Sequence, residues 1–499
     1  MRSHRHPGSL YGRRPDLHVQ LRQDHPRHAA GDAALQHPDN LCQWGGSLVP
    51  DKPNVVYILT DQWRAKATGY NGDPNAVTPN INRLAAESLD FINAIGTSPV
   101  CTPARAALLT GRFPTSTGMF MNDVPLSPDE QSIGKAFKSG GYETAYIGKW
   151  HVDGHGRASY IPPERRQGFG YWKVLECTHN YQNSEYYDGD DQTIKTWNGY
   201  DAFAQTDDAC EYIRQHLEKP FFLTLSLGPP HFPHHNAPEE FQARFAPDDI
   251  EFSPNVVFDD AETEVFTRKE AAGYYAHIAA LDRCVGTVVE TLKANDLEEN
   301  TILIFASDHG EMMGSHGREP YIKQIFWDES CRVPYLLRYP PLTSEHQGRK
   351  VTTPLGTVDI MPTLLSLCGL EIPPAVEGRD LSACVRDGVD LDDHVALYMS
   401  VSPFSGKNHL DPAYRAIRTH RHTFVRTSEG VRYLFDDIGD PYQLRNLADA
   451  PEAADIKNGL EQELEWQLGR IDDPFKEKEY YLEKWGYEVN ETGELPYSR

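Results

Sequence analysis

No stretch of this 499-residue chain approaches the apolar length of a membrane span, which excludes a transmembrane reading. Positive charge is also scarce. The 48 Lys and Arg face 73 Asp and Glu, for a formal net charge of -25, whereas a nucleic-acid binder needs a basic patch to replace phosphate counterions. The eight cysteines are scattered singly, without the close spacings of a disulfide framework or a zinc site, so they do not fix the redox compartment. No apolar core of a secretory signal follows the early arginines, which makes a cytoplasmic location the default. What is present is ordinary for a globular protein, 39% hydrophobic and 24% charged, and long enough for one large domain and a smaller one.

The most informative stretch runs from Val100 to Arg112, where Cys101 stands just before a proline-started apolar run that stops at Gly111. Pro103 suits a first helical turn, because its missing N–H would be unpaired there anyway, and Gly111 can close the helix in the left-handed conformation. Cys101 then sits at the positive end of a helix. Free backbone N–H groups and the helix dipole favour anions such as sulfate or phosphate at that position.

Cys101-Thr102-Pro103-Ala104-Arg105 followed by Leu109-Thr110-Gly111-Arg112 resembles the signature of the formylglycine-dependent sulfatases. The resemblance implies that a maturation enzyme oxidises Cys101 to an aldehyde, formylglycine, whose hydrate carries two hydroxyls on one carbon. It runs from about Asn54 to Leu447. It takes in Gly314-Ser315-His316-Gly317, Trp327 to Pro334, Asp359 to Leu365 and Asp440 to Leu447. Most relatives are exported, so a misassigned start codon would make the protein periplasmic or secreted.

The first fifty residues, rich in Arg, His, Pro and Gln, show no periodicity and read as a disordered extension. Short apolar runs then recur at Val55–Leu59, Tyr142–Ile147, Phe221–Leu227 and Thr301–Ser307, as expected of strands buried on both faces. Helical patterns separate them at Ile81–Ser88, Ile133–Ser139, Asp207–Leu217 and Glu270–Lys293. The alternation predicts an α/β fold, and the resemblance specifies it as alkaline phosphatase-like: a large mixed, mostly parallel sheet sandwiched by helices. Residues 51–394 would form this catalytic domain. Residues 395–499 would form a smaller C-terminal α+β subdomain, with strands at Arg415–Arg418, Thr423–Thr427 and Tyr433–Asp436.

Ligands of open α/β sheets bind beyond the carboxyl ends of the strands, and each of the four runs ends in ionisable residues. By the resemblance, Asp61, Gln62, Asp308 and His309 hold a divalent cation with the residue derived from Cys101. Hard oxygen donors favour Ca²⁺, with Mn²⁺ as the alternative because of the imidazole. The metal would lower the pKa of one hydrate hydroxyl and make it a nucleophile toward sulfur. Arg105 would hold the hydrate, Lys149 and Lys323 the sulfate oxygens. His231 would protonate the departing alcohol, and His151 would act as the base that returns the aldehyde. The Asp-Gln and Asp-His pairs resemble a branch that includes choline sulfatases, polysaccharide sulfatases and phosphonate monoester hydrolases.

Between Tyr160 and Tyr200, Trp172, His179, Tyr181, Tyr186, Tyr187 and Trp197 accompany Arg165 and Arg166, a composition that suits either a sugar ring or a locally packed loop. The expected function is a sulfuric ester hydrolase acting on a sulfated carbohydrate. Its rivals are a phosphonate monoester or phosphodiester hydrolase using the same aldehyde, and an unconverted protein that only binds anions or glycans.

Overall fold

The computed structural model describes residues 52–404, 411–490 and 495–496; the expected N-terminal extension lies outside them. Strand Asn54–Asp61 is central because every one of its residues is buried. Val55, Tyr57 and Leu59 face one hydrophobic core while Val56 and Ile58 face another. That double burial is why its sequence reads as a continuous apolar run without alternation. Strands Phe221–Pro230 and Thr301–Ser307 flank it in parallel, with Val56 opposite Leu223 on one side and Leu303 on the other. Glu143–Lys149 adds the fourth parallel strand beside Phe221–Pro230. Six further strands complete a ten-stranded sheet, among them Tyr335–Arg338, which pairs antiparallel with Thr301–Ser307 and makes the sheet mixed.

Helices cover both faces. Cys101–Thr110 and Thr357–Leu367 contribute to the core that contains Tyr57, and Asp201–Gln215 and Ala261–Ala294 to the core that contains Ile58. The last two start earlier than the sequence pattern suggests, at Asp201 and Ala261. Among the described residues no helix is long and apolar enough to cross a membrane. A separate four-stranded antiparallel sheet follows, made of Ala396–Ser400, Tyr414–Arg418, His422–Thr427 and Gly430–Asp436, with helix Ala454–Arg470 after it. The sequence pattern shows three of these four strands and misses Ala396–Ser400, whose five residues are all buried.

Candidate active site

Helix Cys101–Thr110 begins at the cysteine itself, all ten of its residues are buried, and Gly111 closes it at φ 64°. Thr102 ties this end to the loops around it: its N–H donates to Asn122 Oδ1 (3.0 Å) and its hydroxyl to the His151 carbonyl (2.8 Å). The four central strands all end on the same side, and their last residues or the loops after them bring Asp61, Lys149, His231 and Asp308 toward Cys101.

The Cys101 sulfur stands where the oxygens of a formylglycine hydrate would be. Around it lie His309 Nε2 at 3.3 Å, Lys323 Nζ at 3.5 Å, Asp61 Oδ1 at 3.7 Å and Lys149 Nζ at 3.8 Å. All the predicted site residues are therefore linked, directly or through one partner, and each is 6% exposed or less. Cations surround the thiol: burial pushes its pKa up, but Lys149, Lys323 and His309 outweigh that and hold it well below the ordinary cysteine value.

One donor from each of Asp61, Cys101, Asp308 and His309 lies within 4.8 Å of the others, a set that fits a divalent cation. His309 Nδ1 bonds the Gly310 carbonyl at 3.0 Å, which puts a proton on Nδ1 and turns Nε2 toward Asp61 and Cys101. Asp61 is pushed up by burial and by Cys101, and Lys149 and Arg105 outweigh them and hold it well below the carboxylate range. Burial and Asp61 raise Asp308.

Arg105, expected to hold the hydrate, makes four hydrogen bonds within the protein. Its Nε donates to Asp308 Oδ2 (3.0 Å) and its Nη2 to Asp61 Oδ2 (3.1 Å), while Nη1 donates to Ser226 Oγ (2.8 Å) and the Lys149 carbonyl (3.0 Å). Its fork is thus occupied in clamping the two carboxylates.

Sequence reasoning missed three supporting groups. Glu311 accepts from Gln62 Nε2 and from the N–H groups of Met313 (3.1 Å) and Tyr321 (2.9 Å), so the Gln62 oxygen is turned toward Lys323 Nζ, 2.9 Å away. Asp123 Oδ1 lies 2.8 Å from His151 Nε2 and is itself held by Arg157. Ser226 joins Arg105 to the Lys149 carbonyl. None of them ends an apolar run or belongs to the quoted motifs. The left-handed backbones of Gln62 (φ 67°) and His151 (φ 58°) are uncommon outside glycine and collect here, as strained positions do where surroundings over-determine them.

The aromatic insertion is mostly packing. Trp172, Tyr181, Tyr187 and Trp197 are buried, Tyr186 stacks on Trp197 with centroids 4.1 Å apart, and Arg165 pairs with Asp153. Of these aromatic and arginine side chains His179 reaches the site, stacked on His231 at 4.6 Å.

A parallel-sheet core with an anion-receptive helix start and a carboxylate-rich cation cradle is the constellation of sulfate and phosphate ester hydrolases, and sequence comparison selects between them. The chain belongs to the sulfatase family: the sulfatase family model matches residues 53–370, and that of the N-sulphoglucosamine sulphohydrolase C-terminal region matches residues 314–469. It is a sulfuric ester hydrolase. Over 440 residues it is 46% identical to an ulvan-active sulfatase of Formosa agariphila, covering 88% of this chain and 85% of that one. An endo-4-O-sulfatase of Bacteroides thetaiotaomicron is 31% identical over 497 residues, covering 87% and 94%. The solved structure of the yidJ sulfatase from Bacteroides fragilis superposes with a TM-score of 0.77 at 30% identity, over 87% of this chain and 98% of that one. A metal ion and a formylglycine nucleophile are typical of the family.

Proposed function

We propose that this chain removes sulfate from a sulfated carbohydrate, with Cys101 converted to formylglycine and a calcium ion held by Asp61, Gln62, Asp308, His309 and residue 101. The observation that carries this reading is the convergence of two lysines, a histidine and a carboxylate within 3.8 Å of the Cys101 sulfur at a helix start. The 46% identity to an ulvan-active sulfatase supports a sulfated glycan as substrate. Bound there, the cation supplies a Lewis acid that acidifies a hydroxyl of residue 101. Lys149 and Lys323 give the tetrahedral anion two point charges. Arg105 keeps Asp61 and Asp308 in position. His151, oriented by Asp123 through Nε2, leaves a buried Nδ1 without a partner among the described residues, available to exchange a proton with the bound anion or the nucleophile. His231 and Lys323 share one hydrogen bond and stand ready to protonate the departing alcohol oxygen.

Cys101 is 1% exposed, so the maturation enzyme has to act before its helix packs. Peptide mass spectrometry on protein from a host with that enzyme tests the conversion, and fully active protein with an intact Cys101 thiol would refute it. Turnover of sulfated saccharides against phosphonate monoesters and phosphodiesters tests the substrate. Faster phosphoryl than sulfuryl transfer would reassign it.

A further inference from the structure

Starting from His231, aromatic rings continue away from the reacting centre. His179 stacks on His231 (4.6 Å) and lies 5.3 Å from Phe232; Phe232 lies 4.6 Å from Tyr321; Tyr321 meets Phe266 edge-on at 6.0 Å. His179, Phe232 and Tyr321 are only half-buried, and Phe266 is 38% exposed on helix Ala261–Ala294. Contiguous apolar surface left in contact with water beside a charged site is surface that a ligand can cover.

The backbone beneath these rings is fixed. The Phe232 carbonyl accepts from Tyr181 Oη (3.2 Å) and sits 2.8 Å from His231 Nδ1. Tyr321 is held at φ 79°, an outlier for a bulky residue, by its N–H bond to Glu311. Strain of this kind persists where the surrounding structure imposes it, and here it turns one aromatic ring toward Phe232 and Phe266. The same Glu311 carboxylate orients Gln62, so the ridge and the cation cradle share one buried anchor.

We propose that His179, Phe232, Tyr321 and Phe266 form a saccharide platform: the pyranose bearing the sulfate packs its C–H face on His179 and Phe232, and the next ring of the chain reaches Tyr321 and Phe266. The proposal rests on the sulfated-carbohydrate reading above and adds where the sugar lies and that two rings are read. It also moves the sugar-binding aromatics out of the Tyr160–Tyr200 insertion, which supplies only His179. Phe266 touches no group of the reacting centre, so its substitution isolates the outer position.

The test uses matured full-length enzyme with sulfated pyranosides of one, two and four rings and with 4-nitrophenyl sulfate. Phe266→Ala is expected to raise KM about tenfold for the two- and four-ring substrates, less than threefold for the single ring, and Phe266→Tyr to restore it. Phe232→Leu is expected to raise KM for all three saccharides by more than for 4-nitrophenyl sulfate. Equal KM changes across chain lengths for Phe266→Ala, or equal losses on saccharides and 4-nitrophenyl sulfate for Phe232→Leu, overturn the platform. Wild-type enzyme that hydrolyses 4-nitrophenyl sulfate and none of the saccharides overturns the carbohydrate reading itself, and the platform with it.

Discussion

Lys323 Nζ lies 2.8 Å from His231 Nε2, while His231 Nδ1 is engaged at 2.8 Å by the carbonyl of Phe232. A backbone carbonyl can only accept, so Nδ1 carries the imidazole proton and Nε2 accepts from the lysine. Burial and the Lys323 charge both push the His231 pKa well down, in keeping with a neutral ring. The proton of the bond between the two side chains therefore resides on Lys323, and His231 can pass it on only as one member of this pair.

A sugar alkoxide is too basic to leave unprotonated, whereas a nitrophenolate leaves readily. General acid catalysis contributes ~10²–10⁴-fold, so His231→Ala is expected to lose most of that factor on a sugar sulfate and little on 4-nitrophenyl sulfate. The measurement is kcat/KM for both substrates with wild type and variant, compared as a ratio of ratios. A ratio near one would remove His231 from proton transfer.

Glu311 is an acceptor for three donors, and an amide in its place cannot be one. In Glu311→Gln the new carbonyl can serve Met313 and Tyr321, leaving an NH₂ facing the Gln62 NH₂; Gln62 must then flip and present its amide hydrogens to Lys323 and the cation. Groups that orient a ligand in this way are worth 10–100-fold in metal affinity. Calcium titration of Glu311→Gln by calorimetry should show a loss in that range with an unchanged circular dichroism spectrum. Wild-type affinity would show that Gln62 orientation is set elsewhere.

Arg105 answers two buried carboxylates at once, and lysine, a point charge on a flexible stem, cannot span them. Leaving a buried charge without its partner typically costs about 3–5 kcal/mol. Arg105→Lys should destabilise the metal-free protein by that order in chemical denaturation, with calcium restoring part of the loss because the cation neutralises the same carboxylates. Metal-free stability equal to wild type would mean that Lys149 alone compensates Asp61.

The sequence carried much of this centre because burial leaves a mark on composition. Asn54–Asp61 and Thr301–Ser307 are covered on both faces, and nothing but apolar residues with small polar ends can fill them. Gly111 and Pro103 mark the helix because their backbones admit few alternatives. Asp123 and Glu311 were not legible, since a carboxylate in a loop looks like a solvated turn until the fold brings His151 or Gln62 beside it. Trp172 and Trp197 left both readings open: an aromatic that packs against the sheet and one that faces a ligand have the same letter, and only the path of strands Tyr171–Leu175 and Asp191–Thr196 decides between them.

Asp201 opens helix Asp201–Gln215 and is 2% exposed; Ser184 Oγ donates to its Oδ2 at 2.9 Å, and Oδ1 has no partner among the described residues. Burial pushes its carboxyl up to about 7 from 3.8, against the opposing pull of Ser184 and the Ala202 amide. Between those values the folded chain keeps a proton that the unfolded chain has released, so stability from this group is greatest below pH 3.8 and is lost as pH rises to about 7. Three pKa units correspond to an effect on the order of 4 kcal/mol. Asp201→Asn keeps an acceptor for Ser184 and cannot ionise. Its stability relative to wild type should climb from pH 4 to pH 7 and stay level above that, read from urea midpoints across the range. A difference between the two proteins that does not vary with pH would mean that Asp201 is ionised in the folded state throughout.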